Sequence, residues 1–558
     1  MANVFEIADA YVEESARLDP YDATLEGIPG YDDQITDYSP QGAAARAEHD
    51  RRTLRALEAT PASEAKDRLA REVMTERLNA RLALFLNAEH LVDLNVLRPP
   101  SGSIRQAFDL MPKESETDWQ SIARRLRQAP QALHGFRETL DEGIRQGRVT
   151  TKRIAVAVAE QAETWSGNGG GSSFFHRLIE PYGAGPQNGA LATDLAIGAD
   201  ATAAAYADFA VYLRNVYTPM AVERDGSGPE RYLLHCRQYN GCDLDLRETY
   251  DWGWQELYRI EAEMRRTADR IAPGATPQEA VQILNTDPTR AIDGVDAYRD
   301  WLQQLHDQAL ADMDGVHFDV PDRIKNIEVL IPPAGGALAP YYTPPSEDFA
   351  SPGRTWWPVA SSSRFPRWDR VSIAYHEGVP GHHLQVGAVR CLKEALSRYQ
   401  QVAFISGHGE GWALYSERLM GELGYLENPE YYLGMLSAQA LRAVRVVVDL
   451  GLHLGFTLPA SETEHAGEAW TYDLAVEFAT KRANQTEAFM KSEVLRYLGW
   501  PAQAISYKVG ERAWLDTRSA VKAAQGAAFD LKRFHSAAIS LGPVGLALLE
   551  PEVLRALQ

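Results

Sequence analysis

The sequence predicts a mainly α fold. Long Ala/Leu/Arg/Glu-rich segments run over roughly 41–98, 117–163, 189–220 and 246–272, each with apolar residues at three-to-four spacing. Short Gly/Pro clusters punctuate them. Only one region, about 325–361, has the short β-branched and aromatic runs of strands.

Taken in order, residues 1–11 read as an amphipathic helix. They have no basic n-region and no continuous apolar stretch, so they do not read as a secretion signal. Residues 165–173 (WSGNGGGSS) form a glycine-rich connection. Without a P-loop lysine or a preceding strand they are no phosphate cradle, though such a loop can serve as a lid. Further breaks are expected at 225–229 and 331–336. Asp251-Trp252-Gly253-Trp254 begins one of the clearer helices. Residues 326–331 and 354–360 read as strands separated by a connection at 339–345, and the nearby prolines restrict them to edge or terminal positions. An edge strand there can pair with an extended peptide or simply pack as a hairpin. Asn428-Pro429-Glu430 opens a helix running to about Gly455. Further helices are expected at about 461–498, 501–522 and 528–540. A composition break near 222–230 suggests an amino-terminal helical half, 1–225, and a catalytic half, 226–558, with one continuous domain over 1–558 as the alternative.

The 558 residues are 45% hydrophobic and 24% charged, enough for a large core. A net charge of −21 and a pI near 5.2 argue against nucleic-acid partners and against attraction to anionic membranes. Cys236, Cys242 and Cys391 are too few, and odd in number, for a disulfide framework. No run of 18 apolar residues exists, so no membrane span is expected and the cytoplasm is the default location.

The chemistry concentrates in Tyr375-His376-Glu377-Gly378-Val379-Pro380-Gly381-His382-His383-Leu384-Gln385, which follows an apolar run from Val371. Two imidazoles and a neighbouring carboxylate on a buried helix suit a catalytic zinc ion: histidines bind the metal and the glutamate works on water. Zinc helices usually space their histidines four apart. Here His382 is six residues and His383 seven residues beyond His376. On an unbroken helix His382 would point about 120° away from His376, and His383 would lie about 10 Å further along. Pro380-Gly381 is expected to interrupt the helix, looping out two residues so that His382 regains the four-apart position. His382 is therefore favoured as the second ligand, and His383 becomes a supporting or substrate-contacting group.

The third ligand must come from later in the chain. In Gly407-His408-Gly409-Glu410-Gly411-Trp412-Ala413-Leu414-Tyr415-Ser416-Glu417 the two glutamates lie seven apart, on one helix face. Glu410 is assigned as ligand, with helix capping as its alternative role. Glu417 is assigned to orient a histidine through its other ring nitrogen, and His408 to donate to substrate or cap the turn. Glu377 is the general base and acid. Tyr507, in Ser506-Tyr507-Lys508-Val509-Gly510, is a donor for the developing oxyanion. Arg442, Arg445, Arg496 and Lys508 punctuate apolar helices and can grip a substrate carboxylate or form ion pairs, with Asp449 or Glu493 among the available partners.

These motifs resemble the bacterial domain-of-unknown-function family 885, grouped with zincin-like metallopeptidases. The resemblance rests on His376 through Gln385, on Glu410 through Glu417, and on Arg496-Tyr497 with Pro501 through Gly510, with weaker echoes elsewhere. Ala502 departs from it, standing where the family is expected to have glycine. The arrangement is also similar to Taq-type thermostable carboxypeptidases, whose His-Glu-x-x-His would match here with two residues inserted; that match favours His382. The resemblance implies a large helical bowl or saddle with a deep central cleft, a small β-sheet edge and zincin-like metallopeptidase architecture, with one catalytic zinc at its floor.

The function expected is zinc-dependent hydrolysis of short peptides. The alternative is a non-peptidase metal-dependent hydrolase or biosynthetic enzyme acting on small amides. A binding protein with a vestigial site would have no need to keep Glu377 beside a full ligand set. Iron, manganese or cobalt can occupy such a ligand set in place of zinc.

Overall fold

Capping side chains set many of the helix starts. Asn3 accepts from the Glu6 amide at the head of α1 (Val4–Leu18), and Glu6 returns the bond. Ser39 with Pro40 opens α2 (Pro40–Ala59). The structure, a computed structural model, describes residues 3–183, 189–332, 339–359 and 362–558. The helical segment expected over 41–98 holds a helix that ends at Ala59, just before Pro61, and another over Ala65–Leu86. The segment expected over 117–163 is likewise two helices, α3 (Glu116–Arg145) and α4 (Lys152–Ser166), because Gly147 turns the chain at φ +67°. The next long helix, α5 (Gly189–Tyr212), ends in a π turn over Leu213–Tyr217. Among the described residues no helix is long and apolar enough to cross a membrane.

Two compact units divide the chain. The first comprises Met1–Asp67, Met74–Ser227 and Leu495–Trp500. Within it α5 packs on α3 and α4, with the Phe136 and Phe209 ring centroids 5.7 Å apart. Arg125 of α3 is fully buried and donates to the carbonyls of Pro20, Tyr31 and Gln34 and to the Thr24 hydroxyl. Backbone dipoles thus replace the water its charge has lost.

The second unit comprises Arg68–Val73, Gly228–Val494 and Pro501–Gln558. Its main helices are α6 (Leu246–Ile271), α7 (Val295–Met313), α8 (Val371–Glu377), α9 (His382–Cys391), α10 (Ser406–Glu422), α11 (Pro429–Leu454) and α12 (Ser506–Gln525). Asn428 caps α11, and Gly455 at φ +68° closes it. α11 packs against α6 and α8, while α10 packs against α12 and α8. Val444, Val446, Val447, Val448 and Leu450 of α11 expose no surface, each contributing about 1.5–3 kcal/mol of burial. A helix enclosed this fully must settle its charged residues inside the protein. The helix expected over 461–498 is instead two, Tyr472–Arg482 and Glu487–Gly499, separated by Asn484 at φ +51°. The helix expected from 501 begins at Ser506.

A two-stranded sheet pairs β1 (Ala291–Asp293) with β5 (Arg364–Pro366), antiparallel. A three-stranded sheet has the order β2 (Ile327–Leu330), β4 (Gly353–Trp356), β3 (Tyr341–Thr343). Ile327 lies opposite Gly353 in parallel, and Tyr341 opposite Trp356 in antiparallel register. The edge position expected for 354–360 is corrected here. β4 is the central strand, and it stops at Trp356, so Pro358 removes no ladder bond. The expected connection at 339–345 contains β3. On the outer margin of β2, Gln303 of α7 accepts from the Val329 amide (3.0 Å) and donates to the Ile327 carbonyl (2.9 Å). Tyr298 and Leu302 of α7, Val329, Trp357, Phe365 and Ala374 form one buried cluster beneath α8. The expected break at 331–336 lies outside the described residues from 333 onward, as does Ala360.

Candidate metal centre

The helix beginning at Val371 stops at Glu377, and a new one starts at His382. Between them the link 378–381 leaves helical geometry, with a cis Val379–Pro380 peptide. Gly381 is needed there: a Cβ would sit 2.0 Å from the His376 carbonyl oxygen. α10 holds the link in place. Trp412 Nε1 donates to the Pro380 carbonyl at 2.8 Å, and Ser416 Oγ reaches the same oxygen at 3.4 Å.

This interruption brings three side chains together. His376, His382 and Glu410 each offer one ligand atom, all within 4.8 Å of one another. Glu410 Oε2 lies 3.6 Å from His376 Nε2 and 3.5 Å from His382 Nε2. These separations are too long for good hydrogen bonds. They match two ligands about 2.1 Å from one tetrahedral ion, which stand about 3.4 Å apart. Glu410 Oε2 is buried without a hydrogen-bond partner, the condition a cation would relieve. The donor set of two imidazoles and one carboxylate therefore fits zinc, with a fourth position left for water or substrate.

Glu417 sits behind His376. Its Oε1 accepts from His376 Nδ1 at 2.8 Å and its Oε2 from the Ser372 hydroxyl at 2.5 Å. The first bond directs His376 Nε2 toward Glu410. Exposure separates the two glutamates: the Glu417 side chain exposes none of its surface and Glu410 15%. Burial pulls the His376 imidazole down, but the carboxylates of Glu410 and Glu417 outweigh it and push it up to about 9. Burial alone would raise Glu410; His376 and His382 instead hold it well below the usual carboxylate range. Burial raises Glu377, against the opposing charges of His376, His382 and Arg442.

His383 is fully buried and outside the cluster. Its Nε2 meets the Ile324 carbonyl at 2.7 Å and its Nδ1 the Tyr342 hydroxyl at 3.2 Å, and burial lowers it to about 4. His408 Nδ1 faces Gln385 Nε2 at 3.2 Å, and burial lowers that ring to about 3. The Tyr507 ring lies nearly parallel to His376, with centroids 6.5 Å apart. It reaches that position because α10 and α12 touch through glycines: a Cβ on Gly510 would lie 2.0 Å from the Gly407 carbonyl oxygen. Lys508, for which substrate binding and an ion pair were both open, points into an ion-pair network. Its ammonium bonds Glu256 at 2.7 Å and Gln439 at 2.8 Å, and also Glu511. Arg496 belongs to the first unit, its guanidinium 5.0 Å from the Tyr497 ring centroid. Arg445 pairs with Glu493 at 2.7 Å.

Sequence reading missed the Ser372 bond to Glu417 and the part of Tyr342. Ser372 lies four residues before His376, on the same face of α8, a spacing that could have exposed it. Tyr342 belongs to a strand the sequence left as a connection.

The family model described as "Bacterial protein of unknown function (DUF885)" matches residues 20–553. The chain belongs to this family. Curated proteins include no match to it. Among solved structures, "the putative lipoprotein from Colwellia psychrerythraea" superposes with a TM-score of 0.86 at 22% identity, covering 100% of this chain and 99% of that one. A "putative lipoprotein of unknown function from Shewanella oneidensis" gives 0.75 at 17% identity, covering 99% and 100%. At these identities the likeness is one of fold.

Proposed function

We propose that this DUF885 protein is a zinc-dependent, zincin-like metallopeptidase that hydrolyses short peptides. The observation that carries the reading is the convergence of His376, His382 and Glu410 at the spacing of ligands to one ion, with Glu377 adjoining them in sequence. Zinc held there would polarise a scissile carbonyl and acidify water. The chain's own groups do the rest. Glu377, its carboxyl raised by burial, takes a proton from the attacking water and delivers it to the leaving nitrogen. Glu417 keeps His376 in the tautomer that presents Nε2. Tyr507, beside His376, is the proposed donor to the oxyanion.

The test is digestion of a mixed peptide library by the zinc-loaded protein and by Glu377→Gln, read by mass spectrometry. New termini are expected with the unaltered protein. Glu377→Gln should lose about 10²–10⁴-fold in rate while retaining its zinc. Full activity in that variant would refute the assigned role. A cytoplasmic location goes with this reading through the three cysteines, too few and odd in number for a disulfide framework; cell fractionation tests it against a membrane-associated lipoprotein.

A further inference from the structure

Arg442 is a buried cation that makes no ion pair with any carboxylate among the described residues. Its residue is 9% exposed, on a helix enclosed along most of its length. Its Nη1 donates to the Ala438 carbonyl at 3.2 Å, and its Nε is buried without a partner. Among the described residues no carboxylate lies within ion-pair distance of it. The contrast with Arg445, one turn further along, is direct: that guanidinium has Glu493. A guanidinium carries five donors in a planar fork, and a buried donor of that fork left without a partner is costly.

The position of this group gives the vacancy a meaning. The Arg442 guanidinium carbon lies 5.7 Å from the Tyr507 ring centroid, and the same ring stands 6.5 Å from that of His376. The unused fork and the reacting groups therefore share one neighbourhood. The chemistry that satisfies such a fork is a planar anion taking two parallel hydrogen bonds. A short peptide with neutral side chains has one such group, its terminal carboxylate.

We propose that Arg442 is the carboxylate-binding residue of this site, and that the substrates are peptides with a free carboxy-terminal carboxylate, cut close to that end. This rests on the metallopeptidase reading above. The probes are N-acetyl-alanyl-phenylalanine and its carboxamide, titrated calorimetrically into the zinc-loaded full-length protein carrying Glu377→Gln to stop turnover. The free acid is expected to bind at least about tenfold tighter than the amide. Adding Arg442→Gln should weaken the acid to the level of the amide and leave the amide unchanged. Arg442→Lys, keeping the charge but not the fork, should fall between. Equal affinity for acid and amide overturns the proposal without recourse to any Arg442 variant, so poor folding of Arg442→Gln does not shelter it. An acid preference that survives Arg442→Gln overturns it as well, because the carboxylate would then be held elsewhere, the metal included. Cleavage of both peptides by the protein with Glu377 intact, without acid preference, overturns the carboxylate site alone. Acid preference without any cleavage supports the carboxylate site and overturns the peptidase reading.

Discussion

Trp412 and Pro380 are joined by a 2.8 Å hydrogen bond from the indole N–H to the carbonyl. The bond fastens the helix carrying Glu410 to the link that positions His382. Two turns of α10 thus supply a proposed ligand, the fastening of the link and the carboxylate behind His376.

Trp412→Phe keeps the ring and deletes the donor. The Pro380 oxygen would retain only the 3.4 Å contact from Ser416 and a buried acceptor would go poorly served. A loss of about 1–3 kcal/mol in unfolding free energy is expected, with weaker zinc binding. Denaturant unfolding and a competing-chelator titration measure the two effects.

Glu410→Gln and Glu417→Gln should separate the proposed ligand from its support. The first is expected to abolish stoichiometric zinc binding. The second should weaken it about 10–100-fold, because His376 Nδ1 loses its carboxylate partner. Equal zinc affinity in the Glu410 variant and the unaltered protein would remove Glu410 from the ligand set.

Two backbone positions make opposite predictions. In Gly510→Ala the new methyl would meet the Gly407 carbonyl oxygen at 2.0 Å and the Gly411 Cα at 2.6 Å, forcing α12 off α10. A destabilisation of about 1–3 kcal/mol is expected, with reduced turnover as Tyr507 shifts. Ala502 stands at φ +64°, held by Asp449 Oδ2 on its amide (3.1 Å) and Asn240 Nδ2 on its carbonyl (3.3 Å). Ala502→Gly relieves the left-handed strain and is expected to raise stability by up to about 1 kcal/mol after the added freedom of the unfolded chain is discounted. Thermal unfolding of each variant decides.

Acid should destabilise the protein through its buried neutral histidines. Burial lowers His306 and His535 to about 3, against about 6.5 in an unfolded chain. On acidification the unfolded state therefore binds protons first. Their contribution is fully present above pH ~6.5 and is lost as pH falls from there toward ~3, by about 1.4 kcal/mol per pH unit for each histidine. His535, which bonds the Tyr415 hydroxyl at 2.8 Å, is the one to replace. In His535→Gln the decline in stability between pH 6 and 4 should be shallower.

Helix content was legible because enclosed and half-enclosed helices both leave a three-to-four apolar period; α6 matches the periodic segment 246–272, and α11 begins and ends where Asn428-Pro429 and Gly455 predict. Boundaries failed where a backbone position decided them: Gly147 split one expected helix and Asn484 another, and neither looks unusual in its neighbourhood. The interruption at 378–381 was legible because proline and glycine fell between histidines of unworkable spacing. Lys508 and Arg442 were indistinguishable as sequence, both being cations in apolar helices. Only their partners tell them apart: Glu256, Gln439 and Glu511 for one and, among the described residues, no ion-paired carboxylate for the other; Glu256, 252 residues from Lys508, leaves no local trace.

Gln303 has one more effect. A foreign strand docking beside β2 would need the Val329 amide and the Ile327 carbonyl, and both are already spoken for by one side-chain amide. That flank of the sheet is closed to cross-molecule pairing, so Gln303 acts as a safeguard against self-assembly there. Truncating it to alanine would unmask two adjoining main-chain groups and turn a sealed border into a template.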